Sequence, residues 1–381
     1  MNLSELKLPE LKFGDSIAKL PIIQGGMGVG ISLSGLASAV ANEGGVGVIA
    51  AAMIGMGEPD VGKNPDEANM RALRNEIRKA RERMTQGLLG VNIMVALTNF
   101  ADMVKTSIRE GADVIFSGAG LPLDLPKYLR EEFPGELADK AKTRLVPIVS
   151  SGRAAAVLCR KWLSKYDYLP DGFVVEGPKA GGHLGFRPEE LDQPQFQLEH
   201  ILPEVVEAVK PFEAETGRRI PVIAAGGVYT GADIAKYLEM GASGVQMGTR
   251  FVATHECDAD QAFKQAFVNA RREDITVIKS PVGMPGRAIF NEFLLAVREG
   301  RKKPFKCPFH CIKSCDFTTT PYCISQALVS AKKGILKHGF AFCGENAWRV
   351  DRIMSVKELM GSLRQEFDEF VAAKRAQFAA K

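Results

Sequence analysis

The sequence predicts an α/β protein of the TIM (β/α)8 barrel type, followed by a cysteine-containing, mainly helical C-terminal extension. Eight short apolar runs alternate with amphipathic stretches over about 250 residues, the usual size of such a barrel. Most of these runs are apolar throughout, as expected for parallel strands that are buried on both faces. Glycine-rich turns follow the last two runs, where barrel enzymes often bind phosphate.

The element pattern is regular from the first strand to the last. The predicted strands are Leu20–Gln24, Val46–Ala50, Leu89–Met94, Val114–Phe116, Arg144–Val149, Gly172–Val175, Pro221–Ala225 and Gly244–Met247. The predicted helices are Ser34–Asn42, Pro65–Met84, Ala101–Glu110, Ala154–Lys165, Glu204–Phe212, Gly231–Met240, Ala259–Arg271, Ser325–Lys337 and Val356–Arg375.

An open, doubly wound sheet is the alternative fold. It would place G-x-G-x-x-G after the first strand, with a carboxylate at the end of the second. Gly26 and Gly28 begin that pattern, but Ile31 stands where the third glycine belongs, and Ala50–Met53 contains no acidic residue. We therefore prefer the barrel.

The pattern changes beyond about residue 284. Five prolines interrupt the chain around and after this point, at positions 281, 285, 304, 308 and 321, and two helical stretches follow. We assign residues 1–283 to the barrel and residues 284–381 to an extension that packs on it, because the extension has too few core residues to fold alone.

Composition limits the class of partner. Of the 381 residues, 46% are hydrophobic and 25% are charged, and the net charge is only +4. That balance gives no electrostatic case for nucleic acid or a lipid surface, so we expect a small-molecule substrate, with a homodimer left open. The N-terminus lacks an apolar run, and no stretch reaches the ~20 apolar residues of a membrane span, which predicts a cytoplasmic protein.

The strongest functional signal is the pair of glycine turns. Gly226 and Gly227 end the seventh strand, and Gly248 and Thr249 follow the eighth. Glycine lets backbone N–H groups approach an anion closely, and a short helix that follows directs its positive end at the anion. Tight strand-to-helix turns alone would explain one such turn, but the two together predict a phosphate site.

A second signal is a histidine in a glycine-rich loop after the sixth strand. His183 follows Gly181 and Gly182 and precedes Gly185, so it lies in a loop at the carboxyl end of the barrel and not on an apolar helix face. Imidazole exchanges a proton near neutral pH, with a reference pKa of ~6.5. A lone histidine is more often structural, but the surrounding glycines would let a ligand pack against this one, so we predict that His183 is functional.

Small and amide-bearing residues recur at the same end of the barrel. Gln24, Gly25 and Met27 follow the first strand, and Asn92 lies on the third. They predict a surface against which a flat aromatic ligand can lie through backbone contacts and the Asn92 amide.

The cysteines form a cluster in the extension. Five of the seven lie between Cys307 and Cys343, and four have the spacing Cys307-x3-Cys311-x3-Cys315-x7-Cys323. In a chain without an export signal this indicates an iron–sulfur cluster, a zinc site or reduced thiols rather than disulfides. On one straight helix Cys307 and Cys315 would lie about 12 Å apart, too far for one cluster, but Pro308 argues against such a helix.

Five motifs in order resemble the 2-nitropropane dioxygenase-like family, which includes nitronate monooxygenases and flavin-dependent enoyl-acyl-carrier-protein reductases. They are Pro21–Met27, Gly90–Met94, Ala180–Gly185, Pro221–Gly227 and Val245–Phe251, within residues 18–290. The resemblance implies a barrel that binds FMN non-covalently and uses His183 in catalysis. It also implies cofactor contacts from Asn92, Glu176, Gly181, Gly227, Gln246, Met247, Gly248 and Thr249.

The resemblance leaves the reaction open. The nominal function is nitronate monooxygenase, which oxidises alkyl nitronates with O2. The alternatives are an NAD(P)H-dependent enoyl or quinone reductase and a non-catalytic FMN-binding electron-transfer subunit. Lys179 differs from the acidic residue of many relatives, which changes the charge expected near the flavin.

A barrel similar to inosine-monophosphate dehydrogenase would share the glycine-turn phosphate site. Its chemistry requires a nucleophilic cysteine after the sixth strand. No cysteine lies between Cys159 and Cys257, which excludes that reading.

Overall fold

The computed structural model describes residues 7–134, 142–302, 307 and 309–379. The strands are β1 (Leu11–Phe13), β2 (Ser16–Ala18), β3 (Ile22–Gln24), β4 (Val46–Ala50), β5 (Leu88–Met94), β6 (Val114–Gly118), β7 (Arg144–Val149), β8 (Phe173–Glu176), β9 (Gly182–His183), β10 (Val222–Ala225), β11 (Gly244–Met247), β12 (Ile275–Lys279) and β13 (Pro285–Ile289). The α-helices are α1 (Ser34–Asn42), α2 (Pro65–Arg83), α3 (Phe100–Arg109), α4 (Leu125–Glu132), α5 (Gly152–Tyr166), α6 (Leu198–Thr216), α7 (Gly231–Glu239), α8 (Thr249–Val252), α9 (Gln261–Val268), α10 (Glu292–Arg298), α11 (Ile324–Lys332) and α12 (Val356–Ala379).

A closed parallel barrel forms the centre of the molecule. Its strands follow the chain as β3, β4, β5, β6, β7, β8, β10 and β11, and β11 pairs with β3 to close the ring. All eight predicted strands are confirmed, with ends that differ by at most two residues. The predicted TIM barrel is therefore correct.

Two apolar layers hold the barrel together. Side chains that point inward from the strands, such as Val48, Phe116 and Ile223, fill the interior and are fully buried. The outward-facing side chains form a larger core with the surrounding helices. Burial on both faces explains why the strand sequences are apolar throughout.

A short hairpin that the sequence analysis did not predict closes the amino-terminal end of the barrel. β1 and β2 pair antiparallel, and Leu11, Phe13 and Ala18 join the interior cluster with no exposed surface. The Phe13 ring meets the Phe116 ring edge-on, with their centroids 6.2 Å apart. The site must therefore lie at the opposite, carboxyl end.

The C-terminal helix α12 takes the eighth place in the outer ring of helices. The helix after β11, α8, has only four residues, and α12 instead packs against α7 and α1. Gly231 at the start of α7 allows this contact, because a Cβ there would lie 2.2 Å from the Phe367 nitrogen. The Gly231 N–H also donates to the Glu366 carboxylate at 2.8 Å.

The chain between α9 and α12 covers the carboxyl end of the barrel. β12 and β13 form a hairpin, and β13 pairs with β9, the two-residue strand that contains His183. The boundary predicted at residue 284 falls in the turn of this hairpin. Among the described helices, none combines the length and apolar character required to cross a bilayer.

We expect Phe367→Ala to lower the free energy of unfolding by about 3–5 kcal/mol, the usual cost of deleting a fully buried aromatic ring. Phe367 has no exposed surface and lies in the seam between α12 and α7. Urea denaturation followed by far-UV circular dichroism measures the change. The control is Asp368→Ala on the exposed face of the same helix, which should stay within about 0.5 kcal/mol of the parent. Equal effects of the two substitutions would contradict the place given to α12.

Candidate active site

Two adjacent turns present free amide groups at the carboxyl end of the barrel. Gly226 and Gly227 follow β10 with φ angles of 90° and 93°, values that favour glycine. Gly248 and Thr249 follow β11, which lies beside β10. In the described part of the chain, the N–H groups of Gly227, Val228, Gly248 and Thr249 have no hydrogen-bond acceptor. Converging amides of this kind suit an anion.

Space and charge at these turns also favour an anion. A Cβ at Gly248 would meet only the Met27 sulfur, at 3.9 Å, so the turn is open. The aliphatic part of Lys179 lies against Gly227, 3.0 Å from where a Cβ would be, and this lysine is exposed. The Thr249 hydroxyl oxygen accepts the Gly344 N–H at 2.9 Å and keeps its own proton for a ligand.

The loop from β8 to β9 contacts the Gly226–Gly227 turn. A Cβ at Gly226 would lie 2.8 Å from the Gly177 oxygen, so glycine is needed for this close approach. The buried Arg287 guanidinium donates to the carbonyl oxygens of Pro178 and Ala180, at 2.6 and 2.8 Å. Gly181 lies against the backbone of Cys343, where a Cβ would be 2.6 Å from the carbonyl carbon. The loop is therefore held from three sides.

His183 lies at the end of this loop, paired with Gly286 of β13. Its Nε2 atom is 2.7 Å from the Ser280 hydroxyl oxygen, and its ring meets Phe342 edge-on with centroids 5.0 Å apart. Burial lowers the pKa of His183 to about 4, because the charged imidazolium is poorly solvated there. The imidazole is neutral at physiological pH.

Glu176 ends β8 beside Ala225, the residue before the Gly226 turn. Burial raises the pKa of its carboxyl group to about 7. Among the described residues its side chain has no hydrogen-bond partner. The residue is half-buried, and a carboxyl group without a protein partner is a candidate ligand contact that in its protonated form can donate a hydrogen bond.

The residues predicted after the first and third strands come together with those after the eighth. The Gln246 side chain lies beside Gly25, and Met27 lies beside Gly248. Gly26 leaves room for Asn92, since a Cβ there would be 2.4 Å from the Asn92 Cβ. Gly182 has a φ of 76° and open space where its side chain would be.

Two predicted contact residues have structural side chains instead. Gln24 has no exposed surface: its amide nitrogen donates to the Gly25 oxygen at 2.5 Å, and its amide oxygen accepts the Val48 N–H at 2.9 Å. Met247 is 3% exposed and belongs to the outer core. The alternation along a strand turns both side chains into the protein, so the cofactor contacts predicted for Gln24 and Met247 stay predictions for their backbone atoms.

The four cysteines of the predicted metal site line one depression, together with His310. In the described chain, no group of three histidine, cysteine or acidic side chains is arranged to hold a metal ion. Residues 309–323 contain no helix, so the objection based on helix length does not apply. Pro308 lies outside the described residues.

The cysteine segment adjoins the end of the barrel that carries the amide turns. Ile312 forms an isolated antiparallel β-bridge with Leu97, in the loop that follows β5. The Thr98 N–H donates to the Cys311 oxygen at 3.2 Å. β5 is the strand of Asn92. The depression therefore lies next to the third barrel loop.

Several residues of the site were not found from the sequence. Ser280, Arg287 and Phe342 surround His183 and its loop, and the Asn346 amide donates to the Gly227 oxygen at 2.7 Å. Each of these four residues lies 97 or more positions along the chain from the residue that it contacts in the site. No local pattern could have indicated these contacts.

Comparison with known proteins gives consistent relatives. The family model described as nitronate monooxygenase matches residues 11–366. A 5-hydroxy-7a-methyl-1-oxo-octahydro-1H-indene-4-carboxyl-CoA dehydrogenase of Mycobacterium tuberculosis is 29% identical over 282 residues, 74% of this chain and 66% of that protein. A probable nitronate monooxygenase of Staphylococcus saprophyticus is 27% identical over 208 residues, 54% of this chain and 52% of that protein.

Solved structures agree with this result. FabK from Thermotoga maritima superposes with a TM-score of 0.70 at 28% identity, over 94% of this chain and 96% of its own. The alignments to the first curated relatives cover about half to two thirds of their length. The match to the family model covers nearly the whole barrel and extension, and the chain belongs to the nitronate monooxygenase family.

Proposed function

We propose that the protein is an FMN-dependent oxidoreductase that oxidises alkyl nitronates with O2. The observation that supports this proposal is the pair of amide-lined turns next to a neutral, half-buried histidine at one end of the barrel. FMN, when bound, supplies the site with an acceptor for two electrons, which the amino-acid side chains lack.

The described residues fit the cofactor. The amides of Gly227, Val228, Gly248 and Thr249 would hold the phosphate, with the Thr249 hydroxyl as a further donor. The Lys179 side chain at Gly227 adds a positive charge near that group. Gly25, Met27, Asn92, Glu176, Gly181, Gly182, Gly226 and Gln246 would surround the rest of the molecule.

His183 acts on the substrate in this proposal. A nitronate already carries a negative charge on its oxygen atoms, so a neutral imidazole can hold it by hydrogen bonding without an opposing charge. Phe342 and the hairpin β12–β13 pack over the histidine and exclude water from it. Excluding water strengthens such polar contacts.

A second candidate is the NAD(P)H-dependent reduction of an enoyl thioester or quinone. It is favoured by two relatives: a carboxyl-CoA dehydrogenase and FabK, whose structure covers almost the whole chain. The same residues would serve, with NAD(P)H as the electron donor and His183 beside the reacting double bond. A non-catalytic electron-transfer subunit is the third candidate.

We further propose a thiolate-ligated metal centre at Cys307, Cys311, Cys315 and Cys323, and favour an iron–sulfur cluster over zinc. The four thiols face one depression but are not grouped closely enough for a single ion. A cluster of several iron atoms spans a wider set of ligands than one zinc ion. His310 beside them has a φ of 45°, a strained conformation of the kind found at ligand sites.

The electrostatics of the cysteines is consistent with such a centre. Burial, with a smaller contribution from neighbouring thiols, raises the pKa values of Cys311, Cys315 and Cys323. These thiols stay protonated in the free protein, and a metal would replace the protons on binding.

We expect Gly227→Val to abolish FMN retention. The valine would need a left-handed backbone conformation and would meet Lys179 at the turn. The matched control is Gly217→Val at the end of α6, where φ is also positive, at 68°, but the surrounding space is open. Flavin absorbance after gel filtration measures retention. If Gly227→Val kept FMN as well as the control does, the phosphate site proposed at this turn would be wrong.

We expect His183→Ala to keep FMN but to lower kcat/KM by about 10²–10³-fold, the usual cost of removing a hydrogen-bond donor that stabilises an oxyanion. Anaerobic stopped-flow mixing identifies the substrate class. Flavin bleaching by an alkyl nitronate and not by NADH or NADPH supports the monooxygenase. Rapid bleaching of the flavin by NADH or NADPH supports the reductase. Turnover that is unchanged in His183→Ala would favour the third candidate, the electron-transfer subunit.

We expect protein purified without oxygen to contain iron and acid-labile sulfide, with broad visible absorption beneath the flavin bands. Cys311→Ser should lose both, because it removes one of the four thiols. The control is Cys159→Ala, a buried cysteine on α5 outside the cluster. Zinc in place of iron would overturn the assignment of an iron–sulfur cluster. Wild-type protein without any metal would overturn the proposal of a metal centre at these cysteines.

A further inference from the structure

Ser280 is enclosed in a tight turn at the tip of the β12–β13 hairpin. It is 2% exposed, and its N–H donates to the Met284 oxygen at 3.0 Å, while its carbonyl accepts the Gly283 N–H at 3.1 Å. Its hydroxyl oxygen lies 2.7 Å from His183 Nε2 and also accepts a long hydrogen bond, 3.4 Å, from the Val282 N–H. The backbone of the turn therefore fixes where the hydroxyl points.

The direction of the bond between Ser280 and His183 follows from the need to satisfy buried donors. A serine hydroxyl has one proton to donate, and a buried donor without an acceptor is costly. Within the described residues, Nε2 is the acceptor that the Ser280 hydroxyl reaches. If Nε2 carried a proton, it would donate to the Ser280 oxygen, and the hydroxyl proton would be left without an acceptor among the described residues.

We propose that Ser280 is the positioning residue of His183: it donates to Nε2, places the imidazole proton on Nδ1, and so directs an N–H donor at the substrate. In the described chain Nδ1 has no protein partner, which leaves it available to a ligand. This inference rests on the proposed function in taking that ligand to be the substrate.

The tautomer selects a substrate class. An Nδ1–H group stabilises an oxyanion that is already present, such as a nitronate oxygen, and cannot accept a proton from a neutral carbon acid. His183 is therefore an anion holder and not a general base, which suits the nitronate rather than the parent nitroalkane as the substrate.

Charged neighbours do not provide another explanation for the state of His183. The titratable residues on the elements packed around it are Lys279 on β12, Arg287 on β13 and Cys343 beside Phe342. Lys279 is exposed, and the Arg287 guanidinium donates to the carbonyl oxygens of Pro178 and Ala180. Burial is the cause of the lowered pKa.

The direct test is nitrogen NMR of the FMN-loaded protein with 15N-labelled histidine. The chain has five histidines, and His183→Ala identifies the His183 signals by their loss. We expect long-range proton–nitrogen correlations to show a protonated Nδ1 and an unprotonated Nε2 at pH 7. A protonated Nε2 would overturn the proposal, and this readout requires no turnover.

The kinetic test uses Ser280→Ala, Ser280→Thr and Ser38→Ala, the last being a buried serine on α1 that is bonded to Gly35. Losing a donor to Nε2 removes a bond that favours the neutral ring, so the pKa of His183 should rise in Ser280→Ala. Burial of the ring is unchanged, so the acid limb of kcat/KM should move up from about pH 4 by only about 0.4–1 pH unit, the worth of one hydrogen bond, with about tenfold lower kcat/KM at neutral pH. Ser280→Thr should restore both values, and Ser38→Ala should match wild type.

The outcomes separate this proposal from the proposed function. An acid limb that stays in place or moves to lower pH in Ser280→Ala would overturn the role of Ser280. Wild-type protein that bleaches only with NADH or NADPH would overturn the nitronate assignment, while the tautomer measured by NMR would still decide the role of Ser280. If Ser280→Ala did not fold, the NMR experiment on wild type would decide alone.

Discussion

The site depends on the hydrogen-bonded seam between β11 and β3, where the barrel closes. Ile22, Ile23 and Gln24 pair in parallel with Val245, Gln246 and Met247, and the Gly25 N–H donates to the Met247 oxygen at 2.9 Å. Because parallel strands end at the same edge, this pairing brings the first turn of the barrel against the last. Without this pairing, the loop after β3 that contains Gly25 and Met27 would not lie beside the amide turn after β11.

The chain beyond the barrel is part of the site and does not merely cover it. It provides the donor to the Gly227 oxygen, the donor to the Thr249 hydroxyl, the guanidinium that fixes the loop after β8, and the aromatic ring against His183. These contacts join the loop after β8 and the turns after β10 and β11 to the chain that follows the barrel.

The sequence predicted what local patterns control. Continuous apolar runs identified all eight barrel strands, and the glycines at 226, 227 and 248 identified the turns, because each reflects a local backbone requirement. The burial of the Gln24 and Met247 side chains was not predicted, because a motif does not tell which side chains the strand turns inward. Ser280 and Arg287 were missed because their roles arise only when β13 pairs with β9. A two-residue strand such as β9 carries no periodicity of its own.

The position of α12 has a consequence for how the protein is made. Its residues are translated after those of α1 and α7, yet they fill the gap in the ring between these two helices. Until α12 has been translated, the apolar surfaces of α1 and α7 that it covers stay exposed to water. The hairpin, the cysteine segment and α11 thus form a long insertion that must be translated before α12 can complete the ring of helices. A chain that stops before α12 would expose apolar surface of the kind that quality-control proteases recognise.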